Sequence, residues 1–262
     1  MKNSLTVYGH PASQPSRTVF WACLLNELPF TLGDTSGRLA GSADRNPRGQ
    51  VPSILDDGFA LAEVSAIVCY LADKHAWDGL YPQALQIRAR IQQFLHMHHS
   101  LVRLATLKLM APHVVKPLGT ALGGGGQNPL SIFQNEILSA AFATDDPLTE
   151  GGQAVHTIVG FLEQSYFQAD SAFVCNTESA SVADLVCYSE LGQFRFANLF
   201  DFDGYPKTQR WLDVMSRLPH HDTIHAYNIQ LGDIATTANT IERFTAAAEA
   251  GFRALRKTGL VT

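Results

Sequence analysis

The chain has 262 residues, 46% of them apolar, with a formal charge of −5 and a pI near 6.0. That length suits one large domain or two small ones with ample core, and the acidic balance with no long Lys/Arg cluster argues against nucleic acid as a partner. Apolar runs such as Val19–Leu25 fall far short of the roughly twenty residues a membrane span needs, so no membrane partner is expected.

Leu5-Thr6-Val7-Tyr8 reads as a first strand, followed by the loop Gly9–Pro15. Ser16 then offers itself as the N-cap of a helix through about Glu27, apolar nearly all round and therefore buried. Pro29–Leu32 gives a second strand, and Gly33–Arg45 is polar and poorly specified. Pro52–Leu55 and Phe59–Leu61 are short apolar runs flanking Asp57-Gly58, a pair that favours a tight hairpin because both tolerate positive φ. Ala66, Ile67, Tyr70 and Leu71 then recur at helical spacing. Strand, helix, strand, hairpin and helix in that order suit a mixed sheet with helices packed on it.

Turn chemistry without periodicity at Asp78–Pro82 places a linker over 78–86, between domains at 1–77 and 87–262. From Ala84 to about Met110 the periodicity predicts one long helix, which Pro112 and Pro117 should end or bend. The region around 112–152 reads as a turn-rich insertion, with a glycine run at Gly123–Gly126 and a helix pattern at Leu130–Ala143. Further helices are expected from about Gln153 to Phe167, from the capping-box-like Ser181-Val182-Ala183-Asp184 to about Phe196, and after Tyr205-Pro206-Lys207. The tail from Asp222 to Lys257 is amphipathic and closes on Arg253, Arg256 and Lys257, charges that suit a helix C-terminus. Cys23, Cys69, Cys175 and Cys187 form no CxxC pair, and no apolar leader precedes the first strand; buried reduced thiols in a cytoplasmic protein are expected.

The stretch Asn46-Pro47-Arg48-Gly49-Gln50-Val51-Pro52, the hairpin, then Glu63-Val64-Ser65-Ala66-Ile67 is the most informative. By itself it reads equally as an ordinary hairpin packed on a helix. A proline at a strand start can be cis, and Val51 before it then keeps a backbone N–H and C=O for a ligand. Together these residues resemble the glutathione-site half of a glutathione transferase. Ala12-Ser13-Gln14-Pro15-Ser16-Arg17 is similar to the serine-x-proline-cysteine/serine-arginine signature of the theta class, and Ser181–Asp184 resembles the serine/threonine-x-x-aspartate element of the family's C-terminal domain. The resemblance implies an α/β thioredoxin-like N-terminal domain with Val51-Pro52 cis, followed by an all-α C-terminal domain.

It also implies site residues. A free thiol has a pKa of about 8.5 and is mostly protonated at neutral pH. A hydroxyl donor beside a helix N-terminus favours the attacking thiolate, and the resemblance maps that catalytic role onto Ser13, leaving Ser16 as the cap. For substrate binding it implies Val51, preceding Pro52, on the cysteinyl backbone of glutathione, Gln50 near the glycyl end, and Glu63 on the γ-glutamyl ammonium. The family's serine for the γ-glutamyl carboxylate is replaced by Val64, which has no donor, and Ser65 lies about 100° further round the helix. Arg38 and Arg45 are candidates for the glycyl carboxylate. His99 and Arg103, one turn apart, could face the cleft beside the electrophile or be solvated surface residues. The histidines have no paired carboxylate at ligand spacing, so no metal is expected.

The expected function is a glutathione transferase, with glutathione as co-substrate, conjugating it to a small hydrophobic electrophile in a homodimer. A protein that keeps the fold as a binding scaffold with weak or no glutathione activity is the alternative, with Val64 as its mark. A transferase for a different thiol is a third reading.

Overall fold

A computed structural model describes residues 5–34, 46, 49–121, 146–167 and 171–262. The sheet half contains β1 (Leu5–Tyr8), α1 (Gln14–Leu25), β2 (Thr31–Leu32), β3 (Ser53–Asp56), β4 (Phe59–Ala62) and α2 (Val64–Lys74). The strands lie in the order β2-β1-β3-β4, with β1 parallel to β2 and antiparallel to β3, and β3 antiparallel to β4. Asp57 and Gly58 both take positive φ, 49° and 89°, as the hairpin requires, and the Val51-Pro52 bond is cis. Leu5, Val7 and Ile54 point to one buried face, where they meet Phe20 of α1 and Ile67 and Leu71 of α2.

The rest is helical: α3 (Leu85–Ser100), α4 (Val102–Ala121), α5 (Pro147–Ser165), α6 (Val182–Leu191), α7 (Gln193–Ala197), α8 (Pro206–Met215), α9 (His221–Ile224), α10 (Ala226–Leu231) and α11 (Ile241–Arg256). One hydrophobic core runs through both halves, from Val7 and Phe20 to Phe94, Leu185 and Trp211. Its seam is α1 against α6. There Thr18 Oγ1 lies 2.9 Å from Ser189 Oγ, and Arg17 reaches the Ser189 carbonyl.

Several expectations are corrected. The N-cap of α1 is Ser13, not Ser16: Ser13 Oγ accepts the Ser16 N–H at 3.3 Å, and Pro15 sits in the first turn. Pro15 suits that turn because its missing N–H would be unpaired there anyway. The predicted long helix breaks at Leu101, where the Ser100 hydroxyl lies within reach of the His96 and Met97 carbonyls at 3.4 and 3.2 Å, a contact that bends helices.

Pro112 and Pro117 do not stop α4, which continues to Ala121. An interior proline costs about 3 kcal/mol. Here α5 lies close against the helix: a Cβ on Gly151 would fall 2.8 Å from Leu109 Cα. That approach also accounts for Gly151 inside α5, which begins at Pro147, is capped by Asp146 and runs through Gly151-Gly152, a pair that composition alone marks as a turn. The helix pattern at 130–143 lies outside the described residues.

The tail is not one helix. α9 and α10 are short, an irregular segment follows, and α11 is separate. The last residues then run beside β2, with Phe30 N–H donating to the Leu260 carbonyl at 3.0 Å and Leu32 N–H to the Thr262 carbonyl at 2.8 Å. An edge strand of two residues gains partners in this way. All four cysteines are free thiols, three of them buried.

Candidate active site

A cleft opens along the seam between the sheet half and the helices. One wall is Gln50, Val51 and Pro52, then Ala62, Glu63, Val64 and Ser65. Asn46 holds the approach: it is buried, its carbonyl accepts the Gly49 N–H at 2.9 Å, and its Nδ2 donates to the Gln50 carbonyl at 2.6 Å. Gly49 takes φ 60° in that turn. Glu63 turns the chain from β4 into α2 with φ 71°, a left-handed conformation that non-glycine residues adopt at a cost of order 1–3 kcal/mol. Val64 is half-buried and packs on the main core, and Ser65 is half-buried beside it. Both reach the cleft, so the rotation between them does not remove Ser65 from the wall.

The opposite wall comes from Pro15 and Thr18 of α1, His98, His99 and Arg103 of the α3–α4 bend, and Val186 and Glu190 of α6. Arg103 is not a free cation. Its Nη1 donates to Glu190 Oε1 at 2.5 Å, while Thr106 Oγ1 donates to Glu190 Oε2 at 2.7 Å, so both oxygens of this buried carboxylate are held. His99 is exposed on the rim. His98 is buried, and burial together with the Arg103 charge holds its pKa down to about 3, so the ring is neutral. Among the described residues its Nε2 has no hydrogen-bond partner.

Ser13 is buried at the start of α1, two residues before Pro15, and is not itself among the residues lining the cleft. Its Oγ is an acceptor for Ser16 N–H, so its own hydroxyl proton is not used by that bond. The Ser16 hydroxyl, in contrast, is fully buried without a partner among the described residues.

Gln50, Val51, Pro52, Glu63, Val64, Ser65, His99 and Arg103 therefore share one cleft; Ser13 does not line it, although Pro15, two residues further on, does, and Arg38 and Arg45 lie outside the described residues. Asn46, Thr18, His98 and Glu190 were not singled out as binding residues from the sequence. Glu190 did carry a signal, as the one acidic residue in the run Leu185–Leu191. No group of three metal-ligating side chains converges among the described residues. No described helix is long and apolar enough to cross a membrane.

The profile of the glutathione S-transferase N-terminal domain matches residues 7–79. Mouse glutathione S-transferase theta-1 is 31% identical over 213 residues, covering 79% of this chain and 80% of that protein. The chain belongs to the glutathione S-transferase family. Its likeness is to the theta class. The structure of human glutathione S-transferase T1-1 superposes with a TM-score of 0.68 at 26% identity, over 95% of this chain and all of that one. Arabidopsis glutathione S-transferase T2 is 29% identical over 84% of this chain, and the chain spans 36% of that relative's length.

Proposed function

We propose that the protein conjugates glutathione to a small hydrophobic electrophile, with Ser13 stabilising the thiolate. The observation that carries this reading is the cleft itself. It gathers Gln50, Val51, Glu63, Val64 and Ser65 on the sheet side, opposite Arg103 and Glu190 on the helical side, in a chain of this family. In this reading residues 1–77 hold glutathione, 78–86 connect, and 87–262 form the electrophile side with the insertion around 112–152. The protein works as a cytoplasmic homodimer.

The thiol loses its proton to solvent, and the thiolate is held by the Ser13 hydroxyl and the positive end of α1. Sulfur attacks the electrophilic carbon, a C–S bond forms, and the leaving group departs with the bonding electron pair. Val51 pairs with the cysteinyl backbone, Gln50 lies near the glycyl end, and Glu63 receives the γ-glutamyl ammonium. Arg103, already committed to Glu190, acts as a fixed dipole on the electrophile's side and not as a mobile cation. The test is turnover of a benzyl or aryl halide by wild type and Ser13→Ala, with retention on immobilised glutathione. Loss of turnover with retention intact supports the reading; undiminished turnover by Ser13→Ala retires it.

Val64 supports a second reading, a binding scaffold with little glutathione activity, because this aliphatic side chain lines the cleft at the position that the family resemblance gives to a serine for the γ-glutamyl carboxylate. Failure of the wild type to be retained on glutathione, with no turnover, would select it. Binding of another thiol in a calorimetric panel would select a transferase with a different co-substrate.

A further inference from the structure

The His10–Ser13 loop that delivers Ser13 to the start of α1 is held from three directions. Within the loop, Ala12 N–H donates to His10 Nδ1 at 3.1 Å and Ser13 N–H to the His10 carbonyl at 2.9 Å. From the core side, Arg17 sends Nη1 to the Pro11 and Ala12 carbonyls at 3.0 and 3.2 Å. Its Nη2 goes to the Ser189 carbonyl and Gln193 Oε1, each at 3.1 Å. From outside, α11 lies on the loop: a Cβ on the buried Gly251 would fall 2.5 Å from Pro11 Cβ, and Phe252 meets the His10 ring edge-on at 5.2 Å.

Arg17 is 0% exposed, and its hydrogen bonds go to three carbonyls and one side-chain amide rather than to a carboxylate, with the nearby Glu190 charge offsetting part of its burial. A buried guanidinium spent on neutral carbonyls is costly unless its fork geometry is used. Here the fork bridges the serine loop and the end of α6, where Glu190 faces the cleft, with Gln193 Nε2 donating back to the Glu190 carbonyl at 2.9 Å. A lysine could keep the charge but could not reach acceptors on both sides at once.

We infer that Arg17 is the positioning residue for Ser13, and that Gly251 is the seat that lets α11 close the same loop from outside. The inference rests on the catalytic reading of Ser13. A displacement of the loop by a fraction of an ångström moves the hydroxyl relative to the thiolate while leaving the Gln50–Ser65 wall in place.

The experiment is the pH profile of kcat/KM with a benzyl halide, together with KM for glutathione and the melting temperature. It compares wild type, Ser13→Ala, Arg17→Lys and Gly251→Ala. Arg17→Lys and Gly251→Ala should each lower kcat about tenfold and raise the apparent thiol pKa by about one unit, with KM for glutathione nearly unchanged. Gly251→Ala is the decisive variant if Arg17→Lys fails to fold, because alanine is the better helix former and should by itself favour α11. Lower melting temperatures with unshifted profiles would make Arg17 and Gly251 structural only and overturn the inference. If Ser13→Ala leaves the profile unmoved, the catalytic reading of Ser13 fails first. If Ser13→Ala moves it and the other two do not, only the positioning inference fails.

Discussion

Two of the described helices begin on a serine, and the two starts are built differently. At α6, both oxygens of Asp184 are taken up, one by Ser181 and the other by Val174 and Trp211. Asp184 Oδ2 accepts from Ser181 N–H at 2.9 Å and from Ser181 Oγ at 2.7 Å, while Oδ1 accepts from Val174 N–H at 2.9 Å and Trp211 Nε1 at 3.0 Å. The carboxylate is wholly buried, and burial pushes its pKa up against the pull of those bonds. At α1, Ser13 makes one long cap contact and keeps its own proton, the adjacent Ser16 hydroxyl has no described partner, and the loop is held from behind by Arg17. The α6 start uses up its polar groups within the fold. The α1 start, which in the proposed reading serves a ligand, keeps some in reserve and is held in place by residues outside it.

The largest effect that would sharpen this contrast is Asp184→Ala. It leaves buried donors on Val174, Ser181 and Trp211 unmatched, each costing about 1–3 kcal/mol, so a stability loss of about 3–5 kcal/mol is expected in urea unfolding. Specific activity of the folded fraction should hold. Next comes Ser13→Ala, expected to lower kcat about a hundredfold, with roughly 1 kcal/mol of stability lost through the cap. A large stability loss with intact kcat would make α1 the same kind of start as α6.

The buried histidines add a pH effect. His98 and His225 are held neutral chiefly by burial, His98 with a pKa of about 3 and His225 well below its ordinary value. Unfolding frees both to take up protons at about 6.5. Stability should therefore be full above that value and fall as pH drops below it, by up to about 1.4 kcal/mol per pH unit for each ring. Urea midpoints at pH 7.5 and 5.5 measure this, and His225→Phe should flatten the slope. An unchanged slope would show that His225 is not the group responsible.

A smaller effect is expected at Val64. Val64→Ser should tighten glutathione binding about tenfold by calorimetry, since a hydrogen bond to a charged group contributes about 1.5–3 kcal/mol, less whatever packing the valine supplies. Low-micromolar binding already in the wild type would mean that Ser65 or a backbone N–H does the work. The smallest effect is Ser16→Ala, expected to leave the melting temperature unchanged or slightly raised because a buried unpaired hydroxyl is removed. A loss of about 1 kcal/mol would restore Ser16 as the cap.

The hairpin and the Ser181–Asp184 box were legible locally, because each depends on residues within a few positions of one another, while the cis Val51-Pro52 bond was legible through the family resemblance. The cap of α1 was misplaced by three residues, since Ser13 and Ser16 offer the same side chain and only the course of the loop chooses between them. The prolines of α4 misled for a related reason: their cost is local, and the packing of α5 that offsets it is not. Glu190 and Arg103 lie 87 positions apart, and no spacing rule joins them.

By itself, then, the sequence determined the fold class and which sheet-half residues to look for at the cleft, because the motifs at Ser13–Arg17 and Asn46–Ile67 carry a family resemblance within short stretches of chain. Only the tertiary structure decided that Arg103 is tied to Glu190, that His98 is buried neutral, and that Arg17 and Gly251 grip the loop before Ser13. Those are matters of which surfaces meet. A buried charge or a close helix approach is set by partners far away in the chain, whose identity no local pattern carries.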